Sequence, residues 1–311
     1  MSETQSPSGL RIVFMGTPEF AVPSLKALVE AGENLVAVIT APDKPSGRGQ
    51  KLMPTPVKEY ALTQNLTILQ PEKLKDPQFL EELASLNADF QVVVAFRMLP
   101  EVVWNMPPKG TINLHSSLLP QYRGAAPINW AIINGEKETG VTTFFLQHEI
   151  DTGNIIFQEK EPIYPTDNAG TLYARLMDKG AHLIVKTVQA VANNTAPSVP
   201  QVFAETLKPA PKVFKDTAQV KWDLSDEATV NLVRGMNPFP GAWCILNGKN
   251  YRLHLVESVA IEQALKPGEI FTDNKSLLYI GCTNGAISVL EWQAEGKKRM
   301  DIAAFFNGNT L

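Results

Sequence analysis

The stretch NLHSSLLPQYRGAAP (113–127) sets a carboxamide and an imidazole two positions apart at the end of an apolar run. If residues 110–114 form a strand, Asn113 and His115 project from one face, because side chains alternate along a strand. An amide N–H and an imidazolium N–H placed side by side can both donate to an oxyanion as a tetrahedral intermediate forms. A neighbouring carboxylate favours the charged imidazole and can accept or relay the proton lost by an attacking amine. Asp151, in HEIDTG (148–153), is the leading candidate for it. Such a trio suits acyl transfer to nitrogen without a covalent enzyme intermediate. The same residues also have an ordinary explanation: a turn-capping asparagine, a satisfied partly buried histidine and an aspartate in a DTG turn. Residue type and spacing alone favour that ordinary explanation.

Other chemistries find less support. Gly16 ends an apolar run, but GTPEFA supplies one glycine where a dinucleotide fingerprint needs three, so a structural turn is expected. The four histidines (115, 148, 182 and 254) show no i, i+4 pair, and no metal is expected. Ser116 and Ser117 adjoin His115 without a GxSxG elbow. Ser116 and His115, adjacent in a strand, face opposite ways.

The elements that must position the trio follow from the apolar pattern. RIVFMG, LVAVIT, LTILQ, DFQVVVAF and GTINLHS read as strands, alternating with helical segments such as PEFAVPSLKALVEAG and DPQFLEELASLN. That alternation implies an α/β fold with a doubly wound, mostly parallel sheet, in which ligands sit beyond the carboxyl ends of the strands. Asn113 and His115 fall at such an end. TGVTTFFLQ and NIIFQEKEPI flank Asp151 as an antiparallel pair, and a long helix is expected over roughly 168–194. NNTAPSVPQ (193–201) mixes proline, asparagine and serine without periodicity and reads as linker. Beyond it AWCILNG, YRLHLVES, SLLYIGC and AISVLEW imply a small β-barrel, with one helix capped by Ser225. The expected organisation is a tail (1–9), a catalytic domain (10–193), a linker (194–210) and a barrel domain (211–311).

The totals set outer bounds. Of 311 residues, 44% are hydrophobic and 19% charged, enough for two packed domains. Two distant cysteines fit a reducing compartment, and the absence of a long apolar run or leader pattern points to the cytoplasm. Nothing in the sequence calls for more than a monomer. The net charge of −4 argues against binding nucleic acid through bulk positive potential. It is unevenly spread, however. PDKPSGRGQKLMPTPVK (42–58) holds Lys44, Arg48, Lys51 and Lys58 against Asp43, a local +3, and is the first place to look for a polyanion contact.

Four stretches carry a resemblance: RIVFMGTPEFAVPSL (11–25), PDKPSGRGQKLMPTPVK (42–58), NLHSSLLPQYRGAAPI (113–128) and ETGVTTFFLQHEIDTGNII (138–156). VKWDLS, NPFPGAW and GKKRM extend it through the second half. Over residues 11–303 the sequence resembles the methionyl-tRNA formyltransferase family. The resemblance implies a catalytic trio of Asn113, His115 and Asp151, with 10-formyltetrahydrofolate as co-substrate and no metal. It implies a folate site lined by Ser117, Leu118, Leu119 and Pro120, with Val94, Ala95, Phe96 and Met98 shaping the pterin pocket. Methionyl-initiator tRNA is the implied partner, held by Lys44, Arg48 and Lys51 and by an oligonucleotide-binding-like (OB-like) barrel. Two features depart from the family: Ser116 stands where glycine is usual, and AFRMLP (95–100) lacks a glycine and is one residue shorter. The shorter loop bears on folate affinity rather than reaction class. A formyltransferase for a nucleotide-sugar amine would carry the same trio, but the basic loop and the barrel favour tRNA. A hydrolase would need a blocked amine site, and a non-catalytic tRNA binder would have no use for all three residues.

Overall fold

A computed structural model describes residues 7–46, 50–202, 206–262 and 264–311. Strand β1 (Arg11–Gly16) leads through a 3-10 turn into helix α1 (Val22–Glu30), and β2 (Asn34–Ile39) follows. The basic segment, which carries no strand signal in the sequence, folds into a hairpin of β3 (Lys44–Ser46) and β4 (Lys51–Met53). Helix α2 (Pro56–Thr63), β5 (Ile68–Leu69), α3 (Pro77–Ser85), β6 (Phe90–Val94), α4 (Glu101–Trp104) and β7 (Thr111–His115) continue the alternation. After α5 (Pro127–Ile133) come β8 (Glu138–Phe145), β9 (Ile155–Pro162) and α6 (Ala169–Ala192).

The helix starts have local causes. Prolines occupy the first turns of α1, α2 and α3, where a missing N–H costs no helical bond. Asp76 caps α3 by accepting from the Gln78 and Phe79 amides, and Thr55 caps α2 by accepting from Lys58 N.

The main sheet has the order β5-β2-β1-β6-β7-β8-β9. From β5 to β7 all pairs are parallel, whereas β8 runs antiparallel to β7. The chain builds outward from β1 in one direction to β5, then returns to add β6 and β7 on the other side. The switch point therefore lies between the carboxyl ends of β1 and β6, where open α/β sheets form a crevice. Along β1, Val13 and Met15 join Phe79 and Leu83 of α3 in one core cluster, while the fully buried Ile12 and Phe14 turn to the opposite face. Gly16 is required here for packing. A Cβ would stand 2.6 Å from that of Ala21 and 3.1 Å from the Val94 carbonyl oxygen, so the glycine lets the turn after β1 close against β6.

The second half forms an antiparallel sheet in the order β10-β11-β14-β13-β12, with β15 paired to β14. Its strands are Ala242–Leu246, Lys249–Val259, Ile270–Thr272, Leu278–Cys282, Gly285–Ala294 and Met300–Asp301, flanked by α7 (Asp226–Met236) and α8 (Ile302–Phe306). Ser225 caps α7 by accepting from Ala228 N, as its sequence context implies. Trp292, fully buried, stacks on Tyr251 at 4.2 Å and meets Phe305 edge-on at 4.7 Å. Fold class thus follows the sequence: α/β first, antiparallel β second.

The chain groups into two units that do not follow its linear order. The first comprises Met1–Arg123, Gly140–Glu161 and Tyr173–Lys208; the second comprises Gly124–Thr139, Pro162–Leu172 and Pro209–Leu311. Segments 124–139 and 162–172, which the linear pattern places with the first domain, thus pack with the antiparallel sheet. One cause is the α5–α7 contact, where Asn129 Nδ2 donates to the Gly235 carbonyl at 2.7 Å. There a Cβ on Gly235 would come within 2.5 Å of Ile133 Cγ1. The segment expected to be a linker is also docked: Val199 and Ile155 exchange backbone hydrogen bonds of 2.9 and 2.8 Å within the first unit.

Candidate active site

Strand β7 ends at His115, at the carboxyl edge of the parallel sheet. Its register pairs Asn113 with Phe144 and His115 with Thr142 of β8, so these four side chains share one face. Leu114 takes the other face and meets α6, where Gly180 admits its Cδ2 to within 2.6 Å of a would-be Cβ. The alternation expected from sequence therefore sets the amide and the imidazole side by side.

His115 is buried, 6% exposed, and its Nε2 lies 2.8 Å from the Tyr122 carbonyl oxygen. A carbonyl can only accept, so Nε2 carries the proton of that bond. Nδ1 is left to offer a lone pair in the neutral ring or an N–H in the imidazolium. Asn113 is half-buried, and its carboxamide makes no hydrogen bond to another described residue. Its N–H groups are thus uncommitted within the described chain.

Asp151 sits in the turn between β8 and β9 with φ +55°, a left-handed conformation that aspartate tolerates better than most residues. The turn folds tightly onto the end of β8. A Cβ on Gly153 would fall 1.6 Å from the Phe145 carbonyl oxygen and 3.2 Å from Phe144 Cδ2, and Phe144 is the register partner of Asn113. Phe145 N also donates to the Asn154 carbonyl at 3.0 Å. These contacts fold the Asp151 turn onto the end of β8, the strand that pairs with β7 through Phe144 and Asn113.

The SSLLP loop (116–120) is held over the same face. Thr142 Oγ1 donates to the Ser117 carbonyl at 2.6 Å and accepts from Leu119 N at 3.2 Å and Gln158 Nε2 at 2.9 Å. Gln158 Nε2 also donates to the Leu119 carbonyl at 2.9 Å. Ser117, fully buried, spends its hydroxyl on the Gln121 carbonyl at 2.7 Å, a turn-holding use. Leu118 Cδ2 lies against Gly140, and Pro120 follows Leu119 through a cis peptide bond. Thr142 and Gln158 carry no signal in the sequence, because a threonine inside a strand reads only as a β-former. Thr142→Val keeps the shape but strips one donor and two acceptor positions. It is expected to destabilise the first unit by about 2 kcal/mol, read as a lower urea midpoint at unchanged m-value.

The remaining sites separate. Val94 is fully buried at the end of β6, and Ala95 leaves the strand with φ +47°. Phe96 turns back against the cluster of Val13, Met15 and Ile39 rather than standing open, and Met98 is 74% exposed. Arg97 locks the loop by donating to the Pro71 and Glu72 carbonyls. Lys44 and Lys51 are exposed on the β3–β4 hairpin, and Arg48 lies outside the described residues. Lys58 is not free to act with them, since its Nζ is 2.6 Å from Asp43 Oδ2. The Asp43 carboxyl is held below its ordinary value by the Gln70 hydrogen bond first and Lys58 second. Among the described residues no cluster of His, Cys, Asp or Glu could hold a metal, and no helix is long and apolar enough to cross a membrane.

Comparison with known proteins agrees along the length of the chain. Residues 10–188 match the formyl transferase family, and residues 212–310 match the formyl transferase C-terminal domain. A methionyl-tRNA formyltransferase from Phocaeicola vulgatus is 54% identical over 96% of this chain and 95% of its own. One from Bacteroides thetaiotaomicron is 51% identical over 97% and 96%. Among solved structures, the N-formyltransferase of Helicobacter canadensis with folinic acid and dTDP-3-aminofucose aligns with a TM-score of 0.68 at 21% identity, covering 92% of this chain and 99% of that one. Shared residues at that level, continuous through both matched segments, mean that the chain belongs to the methionyl-tRNA formyltransferase family.

Proposed function

We propose that the protein transfers the formyl group of 10-formyltetrahydrofolate to the α-amino group of methionyl-initiator tRNA, with Asn113, His115 and Asp151 as its catalytic groups. A free α-amino group titrates near ~7.7–8.0, so a substantial neutral fraction exists without activation. Its nitrogen attacks the formyl carbon, the C–N bond forms, and the carbonyl pair moves onto oxygen. Asn113 and the imidazolium of His115 donate to that oxygen. The bond from carbon to the folate nitrogen then breaks as C=O re-forms, and the proton lost by the amine replaces carbon on the folate nitrogen. Asp151 takes or relays that proton. The observation that carries this reading is the adjacency of Asn113 and His115 on one face at the carboxyl end of β7.

The SLLP loop (117–120) and the switch-point residues Val94, Ala95, Phe96 and Met98 form the folate site, with Phe96 acting from beneath as a support. Lys44, Arg48 and Lys51 grip the single-stranded acceptor end, whose phosphates and unpaired bases need no helical partner. Cross-strand register puts Lys44 and Lys51 on the same face of the hairpin. Residues 10–193 serve as the catalytic domain and 211–311 as a second tRNA-binding domain. Incubation with labelled formyl donor and either methionyl-initiator tRNA or free methionine tests the function, and label on the charged tRNA alone is the expected outcome. Transfer to free methionine or to water would overturn it. The Lys44→Ala/Lys51→Ala double variant is expected to raise KM for methionyl-tRNA and to flatten the dependence of log kcat/KM on log salt by about 1.4. An unchanged salt slope would remove both lysines from the tRNA contact.

A further inference from the structure

The segment after α6 reads as linker, yet one of its residues is buried like a core side chain. Gln201 is 7% exposed. Its Nε2 donates to the Asp151 carbonyl at 2.9 Å and the Gly153 carbonyl at 2.8 Å, while its Oε1 accepts from Arg123 Nη2 at 2.5 Å. Both N–H bonds of the amide and one oxygen position are therefore used. The three partners lie on the two segments that bear on the trio. One is the Asp151 turn. The other begins at Tyr122, whose carbonyl holds His115 Nε2 and whose N–H donates to the Lys208 carbonyl at 2.7 Å. All of these residues belong to the first unit.

We propose that Gln201 is a positioning residue for formyl transfer: it ties the Asp151 turn to the Tyr122–Arg123 segment, and so sets Asp151 relative to His115. This rests on the catalytic roles given above. The turn needs such a tie because Asp151 is held in a left-handed conformation, which persists only where its surroundings enforce it. No other side-chain type supplies two parallel donors and an opposed acceptor at that length. Asparagine is one methylene short, and glutamate turns the two-donor end into an acceptor facing two carbonyls while keeping the Arg123 contact.

Gln201→Glu is the informative change. Two measurements are made on the full chain: amide hydrogen exchange in peptides covering 147–154 and 115–123, and steady-state kinetics with donor binding. Faster exchange in 147–154 is expected, with kcat lowered on the order of 10- to 100-fold and the donor Kd within about threefold of the parent. In the Asp151→Asn background the same change should cost no more than about threefold, because both act on one group. Unaltered exchange in 147–154 would overturn the tie. Faster exchange with parental kcat, or losses that multiply in the double variant, would overturn the positioning role and leave a merely structural bond. If Gln201→Glu does not fold, Gln201→Met removes the hydrogen bonds at similar volume and carries the same expectations. A parent that fails to formylate methionyl-tRNA sinks the functional reading instead, and the exchange measurement then decides the tie alone.

Discussion

Asn113→Ala is expected to turn over ~10²–10³-fold more slowly than the parent while binding the formyl donor about as tightly. The size follows from when the carboxamide acts. A formyl oxygen in the ground state is a weak acceptor already satisfied by water, whereas the oxyanion of the tetrahedral intermediate carries most of a negative charge. A donor fixed in place lowers the second state far more than the first, so its loss appears in kcat and not in affinity. Asn113 is suited to this because its carboxamide makes no bond to the described chain that would have to be broken first. His115→Ala is expected to cost at least as much, since it removes a donor and also frees the Tyr122 carbonyl that Nε2 now occupies at 2.8 Å. Single-turnover rates with pre-bound donor, set beside donor Kd, check both. Near-parental turnover in either variant would remove that residue from the oxyanion site.

Period-two alternation makes the pairing of Asn113 with His115 legible in the sequence, because a strand leaves no other geometry for residues two apart. The apolar runs that form β1, β2, β6 and β7 are legible for a similar reason: a strand buried on both faces can hardly be written in other residues. What escapes the sequence is held by backbone atoms or by tertiary contact. The partner of His115 is the carbonyl of Tyr122, and every residue type has a carbonyl. The β3–β4 hairpin lacks alternation and puts Pro45 in a strand, which is tolerated because that strand is an edge with one partner only. The segment from 193 to 201 has the composition of solvent-facing chain. Its order comes from the Val199–Ile155 pairing and the buried Gln201, contacts made with residues more than forty positions away. Local pattern cannot encode such partners. The grouping of 124–139 with the antiparallel sheet is invisible for the same reason, since α5 finds its neighbour α7 about a hundred residues later.

Gly153→Ala should lower turnover on the order of 10²-fold although residue 153 bears no functional group. A Cβ there would lie 1.6 Å from the Phe145 carbonyl oxygen and 2.8 Å from its carbon. These are backbone atoms of β8, which pairs with β7 through Phe144 and Asn113, so the strand cannot yield without dragging the site with it. The turn must move instead, by roughly 1 Å or more, and Asp151 moves with it. A displacement of that size at a reacting group costs on the order of 10²-fold in rate. The thermal midpoint should fall as well, because the Phe145–Asn154 backbone bond at 3.0 Å is strained or lost. Thr152→Ala is the control: it deletes only the hydroxyl that donates to the Glu149 carbonyl at 3.0 Å, and should leave turnover within about threefold of the parent. Donor binding is expected to persist in both variants, because the SSLLP loop is anchored separately by Thr142 and Gln158. A folded Gly153→Ala protein that formylates at the parental rate would show that the position of Asp151 does not matter to the reaction.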